Sequence, residues 1–435
     1  MIHAVMPLCH YAFFVNFGRL KSQIMKFVYT LLIYLYTGLI RIVSLFNHKA
    51  FLWVEGRRNW SLKLKEKIGS GETTIWIHCA SLGEFEQGRP VMEMIKERAP
   101  DIKIVVTFFS PSGYEIRKNY TLADCICYLP ADTPRNASDF ISIIKPTIVI
   151  FIKYEFWNNY IFELRARNIP LYLVSGIFRP GQPFFKWYGG FFRKILKRFT
   201  HIFVQDKRSL DLLNAIGIQN SSVAGDTRFD RVSQISALAK DLPIIEKFRS
   251  NEKLFMAGST WRPDEEIIAG FINSNPDKMK WVIAPHEIEK SNIDRLEKLF
   301  KTDVVRYSEF NEDSNKARVL IIDNIGLLSA AYRYAYIAAV GGGFGKGIHN
   351  ILEAACWGIP VLFGPNYKRF KEAADLISEG GAFCYKNPDE FSSIIDKWLT
   401  DRELYKSSSD IAAGYITRNA GATEKVVRIL LNKRY

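Results

Sequence analysis

The stretch Ala339–Pro365 reads AVGGGFGKGIHNILEAACWGIPVLFGP and indicates the fold class of the chain. An apolar run enters a glycine-dense turn, a helix-like segment follows, and a second apolar run ends the stretch. This order predicts strand, glycine loop, helix and strand, which is the repeating unit of a parallel sheet. Glycine lets a backbone approach a ligand closely, and a helix start offers unpaired N–H groups to an anion. An ordinary turn between strand and helix fits the spacing equally well.

Three polar side chains follow the glycine turn. His349 and Asn350 lie near the predicted helix start, and Glu353 should share a helix face with Asn350. A carboxylate there can accept hydrogen bonds from ribose hydroxyls, although a surface glutamate is the alternative. His286 and His349 have no HxxxH or HxH partner, so no metal site is predicted.

Length and charge narrow the function classes. A chain of 435 residues is expected to form two or three domains, and its net charge of +14 favours an anionic partner. The basic residues concentrate near the N-terminal apolar segment and around residues 179–198. This distribution favours a membrane surface, and no nucleic-acid-binding motif is present. The six cysteines include no CxxC pair, which is typical of reduced thiols in the cytoplasm.

The N-terminal segment is predicted to be a membrane anchor. Residues 27–46, FVYTLLIYLYTGLIRIVSLF, are mostly apolar, and as a helix they would be ~30 Å long, close to the thickness of a hydrocarbon core. More Lys and Arg residues follow the segment than precede it, which places the bulk of the protein in the cytoplasm. The anchor, assigned to residues 1–50, spans the membrane or lies in its interface. The alternative is a buried first helix.

Strands alternate with helical patterns through residues 51–230, which predicts a doubly wound parallel sheet. Catalytic groups in such sheets collect at the carboxyl ends of the strands. Glu84 and Glu155 each follow a predicted strand, where a carboxylate can abstract a proton from a bound hydroxyl. The alternative for Glu84 is a helix N-terminal acid stabilised by the helix dipole.

Residues 178–199 mix aromatic and basic side chains at helical spacing. They predict either a surface helix that touches a bilayer and anionic head groups, or an amphipathic helix packed on the sheet.

Residues 231–435 repeat the alternation and predict a second doubly wound domain. Ser259 and Thr260 lie at a strand–helix junction, where hydroxyl and N–H groups can hold phosphate. Pro285 and His286 end the next strand. The chain contains neither a GKS/T phosphate loop nor a GxSxG motif.

Eight motifs occur in a specific order along the chain. They are HCASLGEFEQGRP (78–90), TFFSPSGYE (107–115), YEFWNN (154–159), VSGIFRP (174–180), FVQD (203–206), GDTRFDR (225–231), AGSTW (257–261) and GIHNILEAACWGIPVLFGP (347–365). Taken together, these motifs resemble the 3-deoxy-D-manno-octulosonic acid (Kdo) transferases of lipopolysaccharide synthesis. Their order and spacing make the resemblance specific, and it covers nearly the whole chain after about residue 25.

This resemblance implies an α/β GT-B glycosyltransferase with two doubly wound, Rossmann-like domains facing a central cleft. Residues 51–230 would bind the acceptor and residues 231–435 the nucleotide-sugar donor. The implied partners are CMP-Kdo, a lipid A precursor and the inner membrane surface with its anionic lipids, without nucleic acid. The implied location is the inner membrane, with the catalytic domains on its cytoplasmic side. Neither a metal nor a cofactor is implied.

The resemblance also implies roles for individual residues. Glu84 would be the catalytic base, and Glu155 occupies the second important acidic position of the family. The residues implied to bind the sugar donor are Ser259 and Thr260 at the phosphate, Glu353 at the ribose, Pro285 and His286 near the cytosine, Gly343 and Asn350 in the glycine loop and helix start, and Arg228 and Lys346 as supporting cations. The chain departs from the family where an Arg between Pro285 and His286 is absent and where ETELWPN is replaced by KYEFWNN.

The mechanism implied is an inverting displacement. Glu84 would deprotonate an acceptor hydroxyl, which attacks the anomeric carbon from the face opposite CMP, while helix starts and cations stabilise the departing phosphate without a metal. One alternative function is that of a GT-B nucleotide-sugar 2-epimerase, which needs no membrane anchor. Another is a non-catalytic membrane scaffold.

Overall fold

The structure, a computed structural model, describes residues 6–68, 73–238 and 240–432, with side chains from residue 24 to residue 431 of these ranges. Residues 1–5 of the predicted anchor therefore lie outside the described residues. Two parallel sheets form the framework, in the strand orders β3-β2-β1-β4-β5-β6-β7 and β10-β11-β9-β8-β12-β13-β14. Sheet 1 contains β1 (Thr74–Cys79), β2 (Lys103–Phe108), β3 (Cys125–Tyr128), β4 (Ile148–Ile152), β5 (Leu171–Gly176), β6 (His201–Val204) and β7 (Ser221–Val223). Sheet 2 contains β8 (Leu254–Thr260), β9 (Lys280–Pro285), β10 (Val304–Arg306), β11 (Val319–Ile321), β12 (Ile337–Val340), β13 (Val361–Phe363) and β14 (Ala382–Cys384).

Helices connect the strands, as expected for parallel pairs. Up to the end of sheet 1 they are α1 (Met6–Val43), α2 (His48–Glu55), α3 (Trp60–Lys67), α4 (Leu82–Arg98), α5 (Pro111–Arg117), α6 (Pro134–Ile144), α7 (Asn158–Ala166), α8 (Gly190–Leu196) and α9 (Lys207–Ala215). The later helices are α10 (Thr227–Leu238), α11 (Pro243–Arg249), α12 (Arg262–Ser274), α13 (Lys290–Glu297), α14 (Leu328–Ala331), α15 (Leu352–Ala355), α16 (Lys371–Glu379), α17 (Pro388–Thr400), α18 (Arg402–Asn419) and α19 (Ala422–Asn432). Short 3₁₀ helices cover Pro183–Phe185, Pro276–Lys278, Tyr307–Glu309, Glu312–Lys316 and Tyr332–Tyr334.

Each sheet belongs to its own compact unit. Unit 1 comprises Met1–Thr227 and Gly421–Tyr435, and unit 2 comprises Arg228–Ala420. The last helix, α19, packs on α4, and its Val426, Val427 and Leu430 are fully buried in the core of unit 1. The prediction assigned this helix to the second domain. The structure has it in unit 1 instead, because the apolar face of α19 packs on the helices that cover sheet 1.

The central strands are buried on both faces. All six residues of β1 and all five of β4 are buried, and β1 pairs with β2 on one side and β4 on the other. Sheets covered by helices on both faces read as continuous apolar runs rather than alternating ones. The two doubly wound sheets predicted from the sequence are confirmed, and the carboxyl edge of sheet 1, where its strands end, receives Glu84 and Glu155.

Helix α1 lies against unit 1 with one face and leaves the opposite face exposed. Its segment Ile24–Val43 is long and apolar enough to cross a membrane, and none of it is buried. On one face, Tyr29 bonds to Asp132 and the Lys26 ammonium lies 5.0 Å from the centre of the Phe162 ring. The other face presents exposed apolar side chains, namely Phe27, Val28, Leu31, Leu32, Leu35, Leu39 and Ile42. The alternative of a buried first helix is therefore wrong.

Of the two arrangements predicted for segment 178–199, the structure shows the helix packed on the sheet, and contact with a bilayer stays a prediction. Ile195 and Leu196 of α8 are buried in the core of unit 1, and Phe191 and Phe192 pack against that core. Helix α8 is thus an amphipathic helix packed on the sheet. Trp187, just before α8, is 91% exposed and remains available for contact with another surface.

Candidate functional site

Glu84 lies in the first turn of α4, directly after β1. Ser81 is the N-cap residue of α4, and its hydroxyl donates a hydrogen bond to the Glu84 carboxylate. The carboxylate is half-buried, so part of it remains accessible. The positive end of the helix dipole stabilises a negative charge at this position. The arrangement provides an oriented, accessible carboxylate at the carboxyl edge of sheet 1.

Glu155 belongs to a buried polar network at the same edge. It is 8% exposed and accepts hydrogen bonds from the Trp157 indole and from His78 Nε2, the latter at 3.0 Å. His78 is fully buried on β1, and its Nδ1 lies 2.8 Å from Thr107 Oγ1 on β2. Thr107 Oγ1 also accepts a hydrogen bond from Trp76 Nε1 at 2.8 Å.

One further contact closes this network. Trp157 Nε1 lies 2.9 Å from His78 Nε2, so the indole N–H is shared between His78 and Glu155. The two ring nitrogens of His78 bridge Thr107 and Glu155. This environment suits a positioning role for Glu155, and its assignment as a catalytic residue stays a prediction.

Ser259 marks an irregular end of β8 in unit 2. Its φ of 52° lies in the left-handed region, and the register of β8 against β9 shifts between Gly258 and Thr260. Such a conformation costs a non-glycine residue about 1–3 kcal/mol and is found preferentially at functional sites. Thr260 is buried, and its hydroxyl donates to Glu265 at 3.0 Å. The Ser259 side chain is therefore the more accessible of the two predicted phosphate contacts.

Three rings lie together at the ends of β8 and β9. The ring of His286 stacks on Trp261 with centroids 4.7 Å apart and on His349 at 4.5 Å. Trp261 Nε1 donates to His349 Nε2 at 3.0 Å. Burial, together with the neighbouring His286, lowers the pKa of His349 to about 4, so this ring is neutral at physiological pH. Pro285 is buried and ends β9 beneath the cluster. Sequence reasoning missed Trp261 as a site residue, although the quoted AGSTW motif contains it.

Asn350 and Glu353 meet as predicted. Asn350 Nδ2 donates to Glu353 Oε1 at 3.0 Å, and the Ser329 hydroxyl donates to Glu353 Oε2. These bonds orient a half-buried carboxylate before any ligand arrives. The helix itself differs from the prediction, because α15 has four residues and begins at Leu352, after a turn. A helix this short has no site of its own for an anion at its N-terminus, so the carboxylate is the stronger candidate contact.

The glycine loop after β12 is shaped by close backbone contacts. A Cβ on Gly343 would lie 2.5 Å from Gly364 Cα, so these two glycines let the loops after β12 and β13 touch. Gly342 has a φ of 92° and donates its N–H to the buried Asp264 at 2.9 Å. Asp264 also accepts from the Trp261 N–H and so joins the loop to the β8–α12 turn. Gly343 therefore lets the two loops pack together, and its place at the ligand stays a prediction.

The two predicted cations lie in different surroundings. Arg228 Nη1 donates to the buried Glu372 at 2.9 Å. Lys346 is exposed and lines a cavity of about 840 Å³ with Lys368, Arg369 and Lys386, where Glu390 is the sole acidic lining residue among those described. Lys346 thus belongs to a cationic cavity at the ends of β12, β13 and β14. Within the described ranges, no cluster of His, Cys, Asp or Glu could hold a metal ion.

Residues 57–231 match the family profile described as "3-Deoxy-D-manno-octulosonic-acid transferase (kdotransferase)". The chain is similar to the "3-deoxy-D-manno-octulosonic acid transferase" of Aquifex aeolicus (strain VF5), with 27% identity covering 81% of this chain and 95% of the relative. It is also similar to that of Haemophilus influenzae, with 25% identity covering 82% of this chain and 86% of the relative.

Among solved structures, the UDP-GlcNAc 2-epimerase from Neisseria meningitidis bound to UDP-GlcNAc has a similar fold. The TM-score is 0.59 at 16% identity, and the match covers 83% of this chain and all of that one. The UDP-GlcNAc 2-epimerase from Methanocaldococcus jannaschii gives a TM-score of 0.56 at 14% identity, with the same coverage of both chains. At these identities the likeness shows the two-domain fold alone.

Proposed function

This chain belongs to the family of 3-deoxy-D-manno-octulosonic acid (Kdo) transferases, and we propose that it transfers Kdo from CMP-Kdo to a hydroxyl group of a lipid A precursor. The observation that carries the proposal is Glu84, an accessible carboxylate held by Ser81 at the start of α4. It lies within the segment that matches the family profile. Glu84 accepts the proton of the acceptor hydroxyl as that oxygen attacks the anomeric carbon of Kdo.

Attack from the face opposite CMP inverts the configuration at the anomeric carbon and releases CMP. Negative charge grows on the departing phosphate, and preorganised donors stabilise such charge without moving. The Ser259 hydroxyl and the N–H groups around the β8–α12 junction are the proposed donors. The Lys346 cavity, with its three further cations, is the proposed source of positive charge near the sugar, whose own carboxylate is negative. Arg228 is proposed to add positive charge near the phosphate, and its pair with Glu372 holds its guanidinium in place.

The nucleoside is proposed to bind beside the three stacked rings. His349 is neutral because its pKa is lowered to about 4, and an aromatic base can stack on the cluster that its ring forms with Trp261 and His286. Base–aromatic stacking contributes about 1–3 kcal/mol per base. Glu353, oriented by Asn350 and Ser329, accepts hydrogen bonds from the ribose hydroxyls.

The membrane is proposed to meet unit 1 at α1. One face of this helix packs on unit 1 through Tyr29 and its neighbours, and the other face exposes apolar side chains. A helix with these two faces suits a position in the plane of the membrane interface better than a position across the bilayer. We place it at the cytoplasmic leaflet of the inner membrane, where anionic lipids attract the basic residues that follow.

Mass spectrometry tests the proposal. Purified protein is incubated with CMP-Kdo and a tetraacylated lipid A precursor, and the lipid is expected to gain Kdo while CMP is released. The variant Glu84→Gln is the matched control because it keeps the shape of the side chain and removes the base. Release of an epimerised sugar from UDP-GlcNAc, without any lipid product, would instead select the 2-epimerase alternative.

A further inference from the structure

A half-buried cation without an acidic partner lies at the carboxyl edge of sheet 1. Arg57 donates three hydrogen bonds to backbone carbonyl oxygens. Nε donates to Leu129 at 2.8 Å, Nη1 to Trp53 at 2.9 Å and Nη2 to Phe109 at 2.8 Å. Within the described ranges it bonds to no carboxylate. A guanidinium has five N–H groups, so two remain after these three bonds. The positive charge is thus fixed in place and left uncompensated by the protein.

The surroundings of Arg57 are aromatic. Its guanidinium carbon lies 3.8 Å from the centre of the Trp53 ring, 4.9 Å from that of Tyr128 and 5.2 Å from that of Phe109. Burial among these rings lowers the pKa of Arg57 to about 9, which leaves it protonated at neutral pH. A cation in such a site gains more from an anion than an exposed cation does, because there is less water to screen the attraction.

Arg57 opens onto a cavity of about 410 Å³. Its polar and aromatic lining includes Arg41, Arg57, Arg58, Asn136, Trp53 and Trp60. Glu55 is the sole acidic lining residue among those described, and it lies 3.5 Å from Arg58. Three cations face one carboxylate, so the lining carries a net charge of +2. This charge matches a phosphomonoester, which carries about −1.5 to −2 near neutral pH.

The wall of the cavity includes the membrane-facing helix. Thr37 and Arg41 of α1 line it, and Tyr36, directly before Thr37, contacts the Trp53 ring edge-on at 5.9 Å. Phe109 and Leu129, whose carbonyls hold Arg57, directly follow β2 and β3. The cavity therefore lies at the edge of the sheet that carries Glu84, beside a helix that exposes an apolar face.

We propose that this cavity binds the phosphomonoester of a membrane lipid whose acyl chains lie along α1. The inference rests on the proposed function, because it assigns the phosphate to the lipid acceptor. A lipid phosphate at Arg41, Arg57 and Arg58 would hold the acceptor's polar head at the carboxyl edge of sheet 1. Arginine forks bind phosphate oxygens in a bidentate manner, which fixes orientation as well as affinity.

Vesicle binding by the full chain tests this site without any need for turnover. Phosphatidylcholine vesicles contain either phosphatidic acid, a phosphomonoester, or phosphatidylglycerol, a phosphodiester, at equal surface charge. The double variant Arg41→Gln/Arg58→Gln removes two lining cations that are exposed. Its matched control, Lys49→Gln/Lys63→Gln, removes the same charge from exposed residues that do not line the cavity.

Wild-type protein should bind the phosphatidic acid vesicles at least about tenfold more tightly, the effect of ~1.4 kcal/mol. The Arg41/Arg58 variant should lose this preference, and the lysine control should keep it within about twofold. Four outcomes would each overturn the proposal. They are equal binding of the wild-type protein to both vesicles, an equal loss of the preference in the lysine control, an unchanged preference in the arginine variant, and no binding to either vesicle. Displacement by millimolar inorganic phosphate would assign the site to free phosphate instead. CMP binding and Kdo transfer are measured separately. A protein that prefers phosphatidic acid vesicles but does not transfer Kdo would count against the proposed function alone.

Discussion

Tyr29 of α1 donates a hydrogen bond of 2.6 Å to the Asp132 carboxylate. Asp132 also accepts the N–H groups of Asn159, at 3.1 Å, and Tyr160, at 3.0 Å, and so caps the start of α7. A single buried carboxylate therefore connects the apolar helix to the framework of unit 1. Burial raises the pKa of Asp132 to about 6, despite the three hydrogen bonds that favour its charged form.

This pKa predicts a pH dependence of stability. The folded state holds the Asp132 proton up to about pH 6, whereas the unfolded chain releases it near pH 4, so the free energy of unfolding should fall as the pH rises between these values. A difference of about two units corresponds to ~3 kcal/mol. Urea denaturation of Asp132→Asn at several pH values should show a smaller slope in this window. The exposed Asp139→Asn on α6 is the control, and an equal slope in all three proteins would contradict the prediction.

Glu84→Gln should lower the turnover number by about 10²–10⁴, the usual effect of losing a general base, with little change in stability. The bond from Ser81 can still form to the amide oxygen, so the side chain stays in place. Turnover with CMP-Kdo and the lipid acceptor is the measurement. Glu97→Gln, exposed near the end of the same helix, should retain wild-type turnover. Near-normal turnover in Glu84→Gln would remove Glu84 from the mechanism.

Glu155→Ala should lower the free energy of unfolding by about 1–3 kcal/mol, because it removes the carboxylate that pairs with the buried His78 Nε2 and accepts from Trp157 Nε1. Chemical denaturation provides this value. Glu163→Ala on α7 removes an exposed pair with Arg167 and should change stability by less than about 1 kcal/mol.

The milder variant Glu155→Gln separates positioning from catalysis. It keeps an oxygen that can accept from Trp157 Nε1 and should retain most of the turnover if Glu155 positions the network. A loss of about 10²–10⁴ in turnover without loss of stability would instead make Glu155 a catalytic residue.

Gly343→Ala should destabilise unit 2 by about 1–3 kcal/mol, because the added methyl group would overlap the backbone of Gly364. Gly345→Ala is the matched control two residues later, where the nearest atom to an added Cβ is the Gly342 carbonyl oxygen at 3.7 Å. Thermal unfolding of the two variants checks the difference. Equal melting temperatures would show that the two loops can separate without cost.

Trp261→Leu should weaken CMP binding by about 5- to 150-fold, which corresponds to ~1–3 kcal/mol of stacking. Calorimetric titration provides the affinity, and Trp187→Leu, an exposed site in unit 1, is the control. Because the pKa of His349 is about 4, its ring should add no change in CMP affinity between pH 6 and pH 8. Unchanged affinity in Trp261→Leu would exclude the ring cluster as the nucleoside site.

The sequence pattern was sufficient for the two parallel sheets because buried strands read as continuous apolar runs between glycine and proline turns. The stretch 74–79, TIWIHC, is one such run, and it forms β1. Local pairs were also within reach: Asn350 and Glu353 are three residues apart and do form a hydrogen bond. Such pairs depend on residues close together in the chain, which the sequence displays.

Other features depend on contacts between distant segments. Ser259 adopts its left-handed conformation because β8 loses register with β9, and no property of serine announces this. The length of α15 and the Gly343–Gly364 contact are set by the packing of neighbouring loops. His78 looked like an ordinary strand residue, yet it links Thr107 to Glu155 across three strands.

The placement of α19 has a consequence for biosynthesis. The ribosome delivers residues 421–432 after residues 228–420, yet Val426, Val427 and Leu430 complete the core around β1 and α4. Unit 1 must therefore wait for α19, whereas the inserted residues 228–420 are already complete and can fold first. Nascent chains arrested before residue 421 should carry a protease-resistant unit 2 and a protease-sensitive unit 1.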